Sequence, residues 1–219
     1  MNGSLSAMSA QDLILYDYFR SSASYRVRIA LNLKNLPYTA VDTSLLEGAH
    51  QTPDHRARNP QGFVPTLVTD DAMLNQSLAI IDWLDAKHPT PRLIPTDAEA
   101  RAAVLAKALI IIADIHPINN LRVLKYLKAE LGASQEQVDR WYRHWIVEGF
   151  TALEVMAPES GLFGGDAPNL VDVCLVPQMY NARRFATPLD VFPKLVRIDA
   201  ALTALDAFAK AAPEAVQPQ

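Results

Sequence analysis

A single cysteine, Cys174, is all the thiol chemistry this chain carries. An internal disulfide and a CxxC pair are therefore excluded, which points to a reducing compartment, the cytoplasm. Long apolar runs are also missing: the richest stretch, AAVLAKALIIIADI, is broken by Lys107 and falls short of the roughly 20 residues a membrane helix needs. There is no block of basic residues. With a net charge of −4 and no interleaved aromatic and basic stretch, nothing favours nucleic acid as the partner. The histidines are scattered without HxxxH spacing, so no metal site is expected. The opening MNGSLSAMSAQ lacks the basic and apolar regions of a signal peptide, and residues 1–11 are read as a disordered leader.

What is present is ample apolar material. Half of the 219 residues are hydrophobic, enough to bury a sizeable core in one large domain or two small ones. LILYDY reads as a strand and YRVRIALNLK as a helix. On the helical wheel Val27, Ala30 and Leu31 share one face while Ile29 and Leu33 lie nearly opposite, so this helix should be covered on two sides. PYTAVDT suggests a second strand, HQTPDHRARNPQG a polar loop, and VPTLVT with AMLN a strand pair turning at Asp70 and Asp71. QSLAIIDWLDAKH returns to helical period. This order predicts a small α/β unit over residues 12–90 with one crossover connection.

Residues 88–96, HPTPRLIPT, carry Pro89, Pro91 and Pro95 and read as a linker. From there to residue 219 strand-like alternation is nearly absent, and helical patterns run over 97–130, 134–156 and 169–185, with a shorter one after Phe192. The second domain, residues 91–219, should be all α. Asn169 and Asp172 form a variant capping box opening one of these helices. Cys174, inside that helix among Val173, Leu175 and Val176, reads as a packed thiol.

Three short motifs could carry chemistry. Ser21 and Ser22 precede the first helix, where serine either caps the helix or joins its free amides in an anion site. Val64-Pro65 opens a strand; the proline is either an ordinary edge residue or a cis bond that exposes the Val64 backbone to an extended peptide. Gln76 and Ser77 precede another apolar helix, again as a cap or as a cradle for a carboxylate.

Taken together, YFRSSASYRVRIAL, NPQGFVPTL, NQSLAIIDWL, HPTPRLIP, HPINNLRVL and VDVCLVPQMYNARRF resemble the zeta class of glutathione transferases, from about Leu13 to the C-terminus. The resemblance implies a thioredoxin-like N-terminal domain that binds glutathione, an all-α C-terminal domain that lines the substrate site, and a homodimer. It implies that Ser22, with Ser21 beside it, steadies the glutathione thiolate. Val64, next to a cis Pro65, would pair with the cysteinyl backbone, and Gln76 and Ser77 would hold the γ-glutamyl carboxylate. Ala23 stands where the family usually has cysteine, so no protein thiol sits beside glutathione and thiol exchange is not expected. Tyr25 replaces a common tryptophan.

The class includes maleylacetoacetate and maleylpyruvate isomerases, which act on small conjugated keto-diacids by thiolate addition, bond rotation and elimination. Bringing such a dicarboxylate to a thiolate sets anion against anion, and arginine's planar fork suits carboxylates. Arg20 lies directly before the serines, Arg184 matches a family arginine associated with a substrate carboxylate, and Arg122 is expected in a long helix facing the cleft. His116 is either a packing residue before Pro117 or a group that binds glutathione or stabilises an enolate; Asn120 crowds the same turns. His50, in the loop after the second strand, is either a glutathione contact or solvated. Two alternatives stand beside the isomerase: a zeta-like transferase conjugating or dehalogenating small α-haloacids, and a non-catalytic glutathione-transferase-like binding module.

Overall fold

The structure is a computed structural model and describes residues 13–218; the leader assigned to residues 1–11 lies outside them. Strand β1 (Ile14–Asp17) is central, flanked by parallel β2 (Thr39–Asp42) and antiparallel β3 (Thr66–Val68), with β4 (Met73–Asn75) antiparallel beyond it. The crossover between β1 and β2 is helix α1 (Ser22–Leu33), as the order of elements predicts. The β3–β4 turn falls at Asp70 and Asp71, because the Thr69 hydroxyl accepts from the amides of Asp71 (3.3 Å) and Ala72 (3.0 Å). α3 (Ser77–Lys87) follows, and no further strand occurs among the described residues. The architecture is a thioredoxin-like α/β unit followed by helices.

The two-sided apolar pattern of α1 is explained by its neighbours. Val27, Ile29, Ala30 and Leu31 are fully buried, and the helix packs on α3, on α7 (Leu170–Arg184) and on the short α9 (Asp206–Ala209). Two cations are buried in the same helix. Arg28 places Nη1 on both Asp17 carboxylate oxygens (2.8 and 2.7 Å), Nη2 on the Phe19 carbonyl and Nε on the Ala211 carbonyl (both 2.9 Å). Arg26 belongs to the site. Just past the helix, Lys34 Nζ donates to Asp85 (2.6 Å) and to the carbonyls of His88 and Pro91 (2.7 Å each). Asp85 also accepts from the amides of Leu93 and Ile94, so one buried ion pair holds both sides of the proline-rich linker.

Two segments differ from their sequence reading. The polar loop at 50–62 contains a short helix, α2 (Pro53–Arg58), because Thr52 caps it with an oxygen on the His55 amide and Pro53 occupies its first turn. The predicted helix over 97–130 is three pieces: α4 (Ala98–Leu109), a π-helical stretch Ile110–Ile115, and α5 (Leu121–Ala129). The amide of His116 reaches back five residues to the Ile111 carbonyl, Pro117 has no N–H to continue the ladder, and Asn120 starts a new helix by accepting from the Arg122 amide. The widened turn is packed hard against α6 (Gln135–Met156). A Cβ on Gly149 of α6 would fall 2.3 Å from Ile115 Cδ1 and 2.6 Å from its Cγ1, so any larger residue requires the Ile115 side chain to shift.

α7 opens on the capping box read from the sequence, Asn169 with Asp172. Asp172 additionally accepts from the Phe163 and Gly164 amides. Cys174 is wholly buried within α7, and burial pushes its thiol up to about 12, consistent with a packed, unreactive side chain. α8 (Pro193–Thr203), α9 and α10 (Pro213–Val216) complete the chain. Among the described residues no helix is long and apolar enough to cross a membrane, and no cluster of His, Cys, Asp or Glu could hold a metal ion.

Candidate active site

A cleft of about 750 Å³ lies between the α/β unit and the helices. All twelve residues singled out from the sequence line it, contributed by six separate segments. On the α/β side are Arg20, Ser21 and Ser22, then His50, then Val64 and Pro65, then Gln76 and Ser77. Facing them are His116, Asn120 and Arg122 around the helix break and Arg184 at the end of α7. Arg183, one residue away, is absent from this lining and pairs with Asp199 at 2.5 Å.

The two serines divide the readings that the sequence left open. Ser21 is the N-cap of α1, its Oγ accepting from the Ser24 amide at 3.2 Å. Ser22, in the first turn, has its Oγ 2.6 Å from Nδ2 of Asn181 on α7. Because a helix N-terminus concentrates free N–H groups and positive dipole, an anion beside Ser22 is favoured before any side chain acts. Ala23 also lines the cleft, so the neighbouring position offers a methyl group and no thiol.

At the second helix start the sequence reading needs correction. Gln76 makes no capping bond; it adopts φ +69°, a backbone conformation uncommon outside glycine, and its side-chain amide donates to Gln61 at 2.7 Å. Ser77 Oγ accepts from Arg26 Nη1 at 3.0 Å. The Val64–Pro65 bond is cis, and both residues border the cleft just before β3.

Arg26 is the most consequential residue that sequence reasoning passed over. It is 1% exposed, and its Nε and Nη2 have no protein partner among the described residues. A permanent charge thus sits beneath Ser77 and close to His116. The signal for it was available: a cation four residues after Ser22 on a helix predicted to be covered on both sides shares the face of that serine. Asn181, Lys125, Phe63 and Tyr142 also line the cleft and were not singled out.

On the far wall, loss of hydration, reinforced by the Arg26 charge, pushes the His116 imidazole down to about 3. The imidazole is therefore neutral at physiological pH. A histidine that binds its proton near 6.5 when unfolded but near 3 when folded destabilises the protein as pH falls through that interval. Between pH 7 and pH 5, His116→Gln should therefore lose less melting temperature than the parent protein; equal losses would assign the acid sensitivity to other groups. His50 sits in a short 3₁₀ turn (Ala49–Gln51), its pKa lowered by partial desolvation, with its Nδ1 buried and unpartnered among the described residues.

Three of the arginines that line the cleft each lie against an aromatic residue. Arg20 Nη2 donates to the Tyr18 hydroxyl (2.9 Å), and Arg122 lies over the Phe63 ring (4.9 Å to the centroid). Arg184 lies over Phe185, itself stacked on Tyr142. Arg20, Arg26, Arg122, Lys125 and Arg184 make five cations in the lining, and among the described residues no Asp or Glu joins them. In a chain of net charge −4 this is a strong local inversion of sign. It suits a site for more than one anion.

Comparison with known proteins agrees with the geometry. The family model for the glutathione S-transferase N-terminal domain matches residues 15–92. A protein of Vibrio cholerae named a probable maleylacetoacetate isomerase is 52% identical, over 92% of this chain and 96% of its own. The holo structure of a maleylpyruvate isomerase, described as a bacterial zeta-class glutathione S-transferase, superposes with a TM-score of 0.91 at 44% identity, over 94% of this chain and 99% of its own. A maleylacetoacetate isomerase from Anaeromyxobacter dehalogenans, with dicarboxyethyl glutathione and citrate in its active site, gives 0.84 at 36% identity, over 96% and 94%. With these degrees of identity over nearly its whole length, the chain belongs to the zeta class of the glutathione S-transferase family.

Proposed function

We propose that this protein is a glutathione-dependent cis–trans isomerase of a maleyl keto-diacid, maleylpyruvate or maleylacetoacetate, yielding the fumaryl product. The observation that carries this reading is the cleft lined by five cations and, among the described residues, no carboxylate. Glutathione and a keto-diacid together bring four carboxylates and a thiolate, and such a lining offsets their mutual repulsion. The relatives named above act on these diacids or hold a glutathione adduct of a dicarboxylate.

The residues present fit glutathione. The α3 amides and the Ser77 hydroxyl, charged from below by Arg26, suit the γ-glutamyl carboxylate, with Gln76 beside them. The Val64 backbone suits the cysteinyl peptide, and His50 the glycyl end. When bound, glutathione supplies a sulfur nucleophile whose reversible addition turns the cis double bond into a freely rotating single bond. Ser22 donates a hydrogen bond to the sulfur anion at the α1 N-terminus. Arg20, Arg122 and Arg184 take the substrate carboxylates by paired hydrogen bonds. Neutral His116, with Asn120 beside it, donates toward the keto oxygen, where negative charge develops. No proton need leave the site, since the nucleophile is regenerated as product forms.

The reading extends to a cytoplasmic homodimer with a boundary between its two domains near residue 90. Its test is a parallel absorbance assay of maleylpyruvate and maleylacetoacetate with free thiol counted before and after. Conversion of either with thiol conserved is expected. Thiol consumption would replace isomerisation by conjugation, and glutathione binding without turnover of either diacid would leave a binding module.

A further inference from the structure

The contact between Ser22 and Asn181 joins residues 159 positions apart, and its chemistry has a fixed direction. We propose that Asn181 is a positioning residue that forces the Ser22 hydroxyl to donate into the cleft, an inference that rests on the glutathione-binding role proposed for Ser22. The chain of donors begins at Arg184. A guanidinium has N–H groups and no acceptor, so the amide atom turned toward Arg184 Nη1, at 3.5 Å, is Oδ1. The opposite orientation would set two donors face to face. Nδ2 is then the atom left for Ser22, 2.6 Å away, and an amide NH₂ also only donates.

Ser22 Oγ must therefore accept from Asn181. With one lone pair engaged toward α7, its O–H turns away from that helix, toward the cleft that Ser22 lines. Burial makes the arrangement durable: Ser22 is 6% exposed and Asn181 4%, so neither side chain exchanges this partner freely for water. A free serine hydroxyl samples several rotor positions. This one is oriented before the ligand arrives, the condition under which a hydrogen bond to a developing anion is most effective. The residue that carries the substrate role, Arg184, thus also sets the polarity of the bond that steadies the thiolate.

The test is a thiol titration of glutathione bound to the intact protein, followed by thiolate absorbance and involving no diacid. Asn181→Ala and Ser22→Ala should each raise the bound thiol pKa by about one pH unit, a tenfold loss of thiolate below the pKa. If Asn181 acts through Ser22, the double variant should shift no further than Ser22→Ala alone. Should Asn181→Ala fold poorly, near-isosteric Asn181→Asp replaces it. Its carboxylate would draw the Ser22 proton toward α7, so its effect should be larger with Ser22 present than in the Ser22→Ala background. Additive shifts in both pairs, or an unshifted Asn181→Ala titration, would overturn the proposal alone. Failure of glutathione to bind the parent protein would overturn the underlying reading and the proposal with it.

Discussion

Ser22→Ala is expected to lower kcat/KM for the diacid about 10-fold at neutral pH, the loss of thiolate that a one-unit rise in the bound thiol pKa produces. Its hydroxyl sits at the helix N-terminus with its acceptor side already taken by Asn181, so the donor it offers the cleft has no substitute in Ala23 or in the capping Ser21. The deficit should have a particular pH dependence. Where the loss comes from a smaller thiolate fraction, raising pH toward the thiol pKa restores thiolate by titration, and the gap between variant and parent narrows. Kinetics across pH 6 to about 9.5, paired with the absorbance titration, separate this from misfolding, which would lower the rate at every pH. An unchanged titration curve in Ser22→Ala would remove the residue from its assigned role.

Asp85→Ala should cost about 3–5 kcal/mol of folding stability, the range for stripping one partner from a buried ion pair. The Lys34 side chain has no solvent exposure, and the variant would leave its ammonium with two carbonyls and no counter-charge. The amides of Leu93 and Ile94 would lose their acceptor at the same time. Urea unfolding measures the difference, and a loss below about 1 kcal/mol would mean that water or a rearranged linker replaces the carboxylate. Lys34→Met together with Asp85→Leu should recover part of the deficit, since an apolar pair leaves no isolated charge. Recovery would be incomplete because the linker carbonyls and amides still lack partners.

Much of this molecule was legible in the sequence because its signals are local. The β-α-β order, the break at residues 88–96 and the capping box at Asn169 depend on neighbours within a few residues, and each appears in the structure. The site motifs were readable for the same reason, since a helix start and an X-Pro strand opening are short-range features. α2 was also signalled locally, by Thr52, Pro53 and Asp54 in succession, but the high polarity of that stretch favoured a loop. The break after Ile115 was harder: Pro117 was visible, yet whether it bends or ends a helix depends on how α6, through Gly149, packs against the preceding turn. Asn181 and the buried charge of Arg26 depend on which helices face each other, and the neutrality of His116 depends first on its own burial and then on Arg26. Those are properties of the assembled tertiary structure, which one-dimensional periodicity does not encode.

The clamp formed by Arg28 bears on how such a chain can evolve. Its guanidinium joins the end of β1 to the carbonyl of Ala211, and Asn32 of the same helix reaches the Ala207 carbonyl at 2.9 Å. The first helix is thus completed by residues from the last tenth of the sequence. A recombination event at the proline-rich linker would transplant a glutathione-binding half whose buried arginine meets an unfamiliar backbone. Exchange between relatives should succeed only where the donor supplies a matching C-terminal segment, so the two halves are inherited as one unit although they differ in architecture.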